Sequence, residues 1–185
     1  MESSLAAKPH QGLSDVLRFR YLGAHELDEL SELWQVVHEE NAALSPHLDD
    51  VITSVGRDES WRRRRARYTD WLSDPDTLAV LAERHGRPIG YAMVTVRIDH
   101  QGSWDRGERV ATVQTLAVRP EEEYAEVGTG LLDEVRRQVG ALGVRDLELA
   151  TVAGHGDAIR FYEQQGFRPF TTTMVSRIGA VGPHD

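Results

Sequence analysis

Val113-Gln114-Thr115-Leu116-Ala117-Val118-Arg119-Pro120 runs directly into Glu121-Glu122-Glu123-Tyr124-Ala125-Glu126-Val127 and then Gly128-Thr129-Gly130-Leu131-Leu132. Val113 to Val118 is short, mostly apolar and β-branched, as a buried strand is. Pro120 has no N–H to give a ladder and ends it. From Val127 the apolar residues fall at Val127, Leu131, Val135, Val139 and Leu142, with Leu132 beside them. That is helical spacing over about four turns. Gly140 or Gly143 marks the helix end, where glycine is the usual residue.

A strand that feeds a helix through a glycine-containing loop leaves backbone N–H groups unpaired at the helix start. Their partial positive charge can hold a phosphate. The same glycines can instead permit close packing of helix on strand. No Gly-Lys-Ser/Thr follows, so this is not a Walker loop.

After the helix comes a second β-rich run, Val144 to Val152, and then Gly154-His155-Gly156-Asp157-Ala158-Ile159-Arg160-Phe161-Tyr162-Glu163-Gln164-Gln165-Gly166-Phe167. With both halves in view, the chain resembles the GNAT acyltransferases. Their core reads strand, Leu-Ala-Val-x-Pro-Glu, a Gln/Arg-x-x-Gly-x-Gly/Ala loop, helix, strand, then Asn-x-x-Ala-x-x-x-Tyr-x-x-x-Gly-Phe. Leu116-Ala117-Val118-Arg119-Pro120-Glu121 and Ala158, Phe161-Tyr162 and Gly166-Phe167 carry the likeness, which extends from Leu78 to Arg177.

The resemblance implies an α/β fold with a mixed, mostly antiparallel sheet and helices on both faces. Its two middle strands, here Val113–Val118 and Leu147–Val152, splay apart to admit the pantetheine arm of coenzyme A. It implies acyl transfer from acetyl-CoA, as co-substrate, to a primary amine of a small molecule or peptide. Leu116, Ala117 and Val118 would offer exposed strand backbone to the co-substrate, and Tyr162 would protonate the leaving thiolate. His155 stands where the family has asparagine, and its ring can still hydrogen-bond pantetheine. Glu123, Glu126, Val127, Gly128, Thr129 and Gly130 would form the pyrophosphate loop.

That loop departs from the family. Counted without gaps from Pro120, the family's Gln/Arg falls on Glu123 and its first glycine on Glu126, with Gly128 as the second and Gly130 in place of alanine. A register shifted by a two-residue insertion would use Gly128 and Gly130, with Ala125 in the Gln/Arg place. In the first register Glu121, Glu122, Glu123 and Glu126 would repel the phosphates, and a positive φ at Glu126 would add about 1–2 kcal/mol of strain. An alternative function follows, a degenerate binding or regulatory module with weak or no acetyl-CoA turnover.

The general base is open at this level. Many family members place a glutamate two residues before the Leu of Leu-Ala-Val; here it is Gln114, whose amide takes no proton at neutral pH. Glu39, Glu40 and Glu108 are candidates, as is a water chain. His38-Glu39-Glu40 lacks the second histidine of a zinc helix, and Asp99-His100 is an isolated pair, so no metal site is expected.

The chain has 185 residues, no cysteine and a net charge of −9, with Lys8 its one lysine. Disulfides, thiolate metal sites and thiol nucleophiles are thereby excluded. Nucleic acid and anionic membrane are unfavourable partners, while a cationic amine is drawn in. Without a membrane-length apolar run or a signal peptide, a cytoplasmic location is expected. A homodimer is compatible with these features.

Met1–Asp15 is expected to be disordered, 16–178 to form one domain and 179–185 a frayed tail. The remaining elements are expected at Leu17–Tyr21 (strand), Glu26–Glu39 (helix), Asn41–Gly56 (loop with one short turn) and Asp58–Leu72 (helix). Thr77–Glu83 and Ile89–Ile98 form a hairpin through His85-Gly86-Arg87-Pro88. Asp99–Glu108 is a polar loop, Arg109–Val118 the central strand and Arg168–Ile178 a final strand. Arg62-Arg63-Arg64-Arg65 with Arg67 reads as an anion patch or as a solvated helix face paired with acids. The overall acidity favours the second.

Overall fold

The computed structural model describes residues 16–99 and 102–179. The expected disorder of Met1–Asp15, His100, and the tail beyond Gly179 lie outside the described residues. Within them one sheet has the strand order β1-β2-β3-β4-β5. The strands are β1 (Arg18–Tyr21), β2 (Leu78–Arg84), β3 (Arg87–Ile98), β4 (Arg109–Val118) and β5 (Asp146–Leu149). Neighbours up to β4 pair antiparallel, and β4 pairs β5 in parallel. The helices are α1 (Ser31–Ala43), α2 (Arg57–Trp71), α3 (Tyr124–Ala141) and α4 (Gly156–Gln164). This is the mixed, mostly antiparallel sheet that the resemblance implied.

Strand alternation sends successive side chains to opposite faces, and each face has its own core. On one face Val127, Leu131, Leu132, Val135 and Val139 of α3 pack with Phe161 of α4 on Val80, Ala92, Val94, Leu116 and Val118. Leu131 and Leu132 are fully buried, each contributing about 1.5–3 kcal/mol relative to exposure. On the other face Leu27, Leu30, Leu33 and Tyr68 cover Leu81, Tyr91, Met93 and Ala117. The Tyr68 hydroxyl is 2.6 Å from Thr115 Oγ1 and 2.9 Å from Tyr91 Oη, so these three buried hydroxyls satisfy one another.

Two glycine-dependent features set the approach of these layers. The β2–β3 hairpin turns on His85 and Gly86, both at positive φ (53° and 75°), the geometry of a two-residue hairpin loop. A Cβ at Gly90 would lie 2.8 Å from Ala117 O and 3.0 Å from Val127 Cγ1; its absence lets α3 sit down on the β3–β4 pair.

The first helix departs from its expected start. Ala24–Leu30 is a 3₁₀ helix and the α-helix begins at Ser31. Glu26 Oε2 accepts from Gly23 N–H at 2.9 Å, and the tighter turn of three residues brings both Leu27 and Leu30 into the core. α3 starts at Tyr124, three residues ahead of Val127; the Tyr124 ring packs against the core while Ala125 and Glu126 of the opening turn are exposed.

The last expected strand is not formed. Arg168–Ile178 has no ladder, and Phe170, Met174, Val175 and Ile178 are exposed. In an extended strand Phe170, Met174 and Ile178 would share their face with Thr172 and Ser176, so the apolar strip would be interrupted by a polar residue at every second position. Phe170 stacks edge-on with Trp104 at 5.1 Å instead. β5 is also shorter than the expected Val144–Val152 run, which bears directly on the site.

Candidate active site

β4 and β5 pair only from Val110↔Asp146 to Val113↔Leu149. Beyond that point Gln114–Val118 and Ala150–Val152 part, and both line a cleft of about 340 Å³. The expected splay of the middle strands is therefore present. Arg119 N–H donates to Ile89 O at 2.8 Å, which fixes the alternation along this end of β4. In an antiparallel pair the next residues out of that phase point away from the partner strand. The backbone N–H and C=O groups of Leu116 and Val118 therefore face the open edge, while Ala117 faces β3.

The cleft joins the two faces of the sheet. Tyr124, His155, Ala158 and Tyr162 enter it from the α3/α4 side, and Trp34, Val37, Glu40 and Arg64 from the α1/α2 side. Tyr162 is half-buried, its ring 5.3 Å from Phe161 and 5.8 Å from Phe167. Burial pushes its phenol above the ordinary tyrosine value, and the hydroxyl of Tyr124 works the other way. The Tyr124 phenol is raised too, by burial first and then by Tyr162. Both phenols hold their protons at neutral pH, so the pair is a store of protons beside the open strand edge.

His155 is the N-cap of α4, its Nδ1 accepting from Ala158 N–H at 3.4 Å. Its Nε2 lies 3.9 Å from Glu40 Oε2, so α1 and α4, on opposite faces, meet where the sheet opens. Among the candidate bases Glu40 alone lines the cleft. Glu39 points to Arg57 at 3.7 Å, and Glu108 precedes β4 at its opposite end. Gln114 lines the cleft and gives its amide to Thr95 Oγ1 at 2.9 Å.

The acidic loop is organised by arginines of the β2–β3 hairpin. Arg84 holds Glu122 at 2.6 Å and Glu126 at 2.7 Å, and Arg87 holds Glu121 at 2.5 Å. Glu123 is the N-cap of α3 and its side chain makes no capping bond. Val127 N–H donates to Glu123 O at 3.1 Å, so the N–H groups left over at the helix start belong to Tyr124, Ala125 and Glu126. Glu126 is helical and His85 is the one non-glycine residue at positive φ among the described residues. The backbone strain expected at Glu126 is thus absent, because the helix has already begun there.

The loop glycines sit inside α3, where they serve packing. A Cβ at Gly128 would lie 2.9 Å from Phe161 Cζ, and one at Gly130 2.7 Å from Leu17 Cδ2. Val127 is fully buried. Thr129 Oγ1 accepts from Gln165 Nε2 at 2.9 Å, tying α3 to the end of α4. The structure therefore gathers Leu116, Ala117, Val118, His155 and Tyr162 at the cleft. Glu123 and Glu126 stand at the start of α3, while Val127, Gly128, Thr129 and Gly130 lie in its packed interior turns. Sequence reasoning missed Tyr124, Trp34 and Arg64 as cleft residues. Tyr124 had a local signal, an aromatic in the first turn of a helix whose start was placed too late. Trp34 and Arg64 had none. Among the described residues no group of three histidine, cysteine or acidic side chains is placed to hold a metal ion.

The profile of the family described as acetyltransferase (GNAT) matches residues 31–167. The chain belongs to that family. A mycothiol acetyltransferase of Propionibacterium freudenreichii subsp. shermanii is 29% identical over 170 residues, which are 91% of this chain and 49% of that protein. The chain thus spans about half the length of that relative. Among solved structures, a GCN5-related N-acetyltransferase from Ralstonia eutropha JMP134 superposes with a TM-score of 0.69 at 14% identity, covering 89% of this chain and 100% of that one. The aminoglycoside N-acetyltransferase AAC(6')-Iy in complex with CoA gives 0.64 at 16% identity, covering 90% and 97%. At such identities these two likenesses concern the fold. No helix among the described residues is long and apolar enough to cross a membrane.

Proposed function

We propose that this domain, residues 16–178, is a cytoplasmic N-acyltransferase that moves the acetyl group of acetyl-CoA to a primary amine of a small molecule or peptide. The observation that carries this reading is the open edge of β4 at Leu116 and Val118, in one cleft with Tyr162 and Glu40. Acetyl-CoA supplies the acyl group as a thioester. Glu40 takes the proton that the amine nitrogen gives up as the new C–N bond forms. The N–H groups at Leu116 or Val118 hold the carbonyl oxygen as negative charge builds on it. Tyr162 gives its proton to the sulfur as the C–S bond breaks, and Tyr124 stands beside it on the proton's return path. The N–H groups at the start of α3 and the helix dipole suit a pyrophosphate.

Membership of the acetyltransferase family and the acetyltransferase named above support the reading. The net charge of −9 favours a cationic amine over nucleic acid or an anionic membrane. The alternative of a degenerate binding module rests on the acidic loop, and there Arg84 and Arg87 pair with Glu121, Glu122 and Glu126, offsetting two of their three negative charges. Titration calorimetry with acetyl-CoA, followed by thiol release with a panel of amines, tests the reading. Micromolar binding and amine-dependent thiol release are expected. No binding at millimolar acetyl-CoA would leave the binding module as the better account.

A further inference from the structure

Arg64 differs from every other arginine in its run. Arg62 and Arg63 are claimed by Glu59 at 2.6 Å each, Arg65 by Asp28 at 2.7 Å, and exposed Arg67 lies over Trp71. Arg64 instead turns into the cleft, its guanidinium stacked 4.0 Å from the centre of the Trp34 ring and 5.7 Å from that of Tyr68. Among the described residues it is the half-buried arginine with no carboxylate partner. That is unexpected in a chain with 30 acidic and 21 basic side chains, where carboxylates are in excess. Glu40 lines the same cleft, yet it faces His155 and makes no ion pair with Arg64.

A guanidinium cannot shed its proton, so its charge must be met by solvent or by a ligand. Stacking on Trp34 fixes its plane and lowers the entropy lost when a planar anion docks on its fork. The cleft therefore presents a fixed cation and an acidic group, apart from each other, on the α1/α2 side of the strand edge where acyl transfer is proposed. A ligand that satisfies both carries a cationic amine and a carboxylate. A polycation such as an aminoglycoside would meet Arg64 as a like charge.

Resting on the acyltransferase reading, we propose that the acceptor is a carboxylate-bearing amine of the α-amino-acid type. Its carboxylate forms a bidentate pair with Arg64, and its amine lies toward Glu40. Arg64 is then the residue that determines acceptor specificity.

The test uses the full chain with coenzyme A present and matched ligand pairs: L-serine with ethanolamine, L-leucine with 3-methylbutylamine, and L-phenylalanine with phenethylamine. Calorimetry reads binding without any need for turnover. At least one carboxylate-bearing member is expected to bind about tenfold or more tightly than its counterpart, with a matching ratio of KM values when acetyl-CoA is supplied. Arg64→Met keeps an unbranched side chain on Trp34 and removes the charge, so the ratio collapses towards one. Arg64→Lys retains part of it. Equal binding within every pair of the wild-type protein overturns the proposal, as does an equal loss for both members in Arg64→Met. A carboxylate on the acyl chain is the other source of this chemistry. Arg64-dependent use of succinyl-CoA over acetyl-CoA with the carboxylate-free amines would assign the guanidinium to the acyl group and overturn the acceptor assignment. Failure of the acyltransferase reading itself shows separately, as absence of heat with coenzyme A or acetyl-CoA. The ligand pairs are then measured on the free protein, and the same ratio decides.

Discussion

Glu40 and His155 face each other across the open end of the sheet, Oε2 to Nε2 at 3.9 Å. The Nδ1 of His155 accepts from Ala158 N–H, so in the neutral ring the proton sits on Nε2, toward Glu40. This contact anchors the one candidate carboxylate at the cleft. Glu40→Gln keeps size and hydrogen bonding but takes up no proton. Its kcat is expected to fall by about 10²-fold or more, read by steady-state kinetics with saturating amine. An unchanged rate would assign proton removal to water.

Tyr162→Phe removes one proton donor from a half-buried aromatic cluster and leaves its packing in place. Turnover is expected to drop by about 10²-fold with acetyl-CoA affinity nearly unchanged, as read by calorimetry beside steady-state kinetics. Equal turnover of the two proteins would reject the role.

The start of α3 separates two carboxylates that look alike in sequence. Glu123 makes no capping bond and has no ion-pair partner among the described residues, whereas Glu126 is held by Arg84. Glu123→Arg is expected to raise coenzyme A affinity by up to about tenfold, about 1.4 kcal/mol, with the gain shrinking at high salt. Glu126→Gly is expected to cost about 1 kcal/mol of stability, because it places glycine in a helical turn. Denaturant unfolding and salt-dependent calorimetry separate the two effects. No gain for Glu123→Arg at low salt would mean that this side chain lies outside the phosphate's field.

Acid sensitivity follows from Glu134. Its carboxyl is held down to about 2, first by the Arg137 hydrogen bond, with the Tyr21 hydroxyl adding to it. The folded value lies below the ordinary 4.5, so the stabilisation is complete above the unfolded value and drains away as pH falls towards 2. Glu59, held by Arg62 and Arg63 to about 2, acts in the same window. The urea midpoint should therefore decline as pH is lowered from about 4.5 to 2, and Glu134→Gln should flatten that decline. A midpoint independent of pH in this range would show that these pairs contribute nothing.

The sequence by itself determined those features written in short windows. β4 ends where Pro120 follows it, α3 buries the stripe from Val127 to Val139, and Tyr162 follows Phe161 on α4. Alternation, helical period and turn chemistry are local, so these elements were legible. Tertiary structure decided the rest. Arg84 and Glu122 are 38 residues apart in the chain, and no local pattern announces that a hairpin will bring its arginines over the acidic loop. The same holds for Arg64: four successive arginines look equivalent, and only the helix phase and the position of Trp34 turn one of them into the cleft. Arg168–Ile178 makes the reverse case, a run read as a strand that found no face to bury. Charge pairing and cleft geometry depend on where whole elements dock, which is set by the two cores and not by any one stretch of chain.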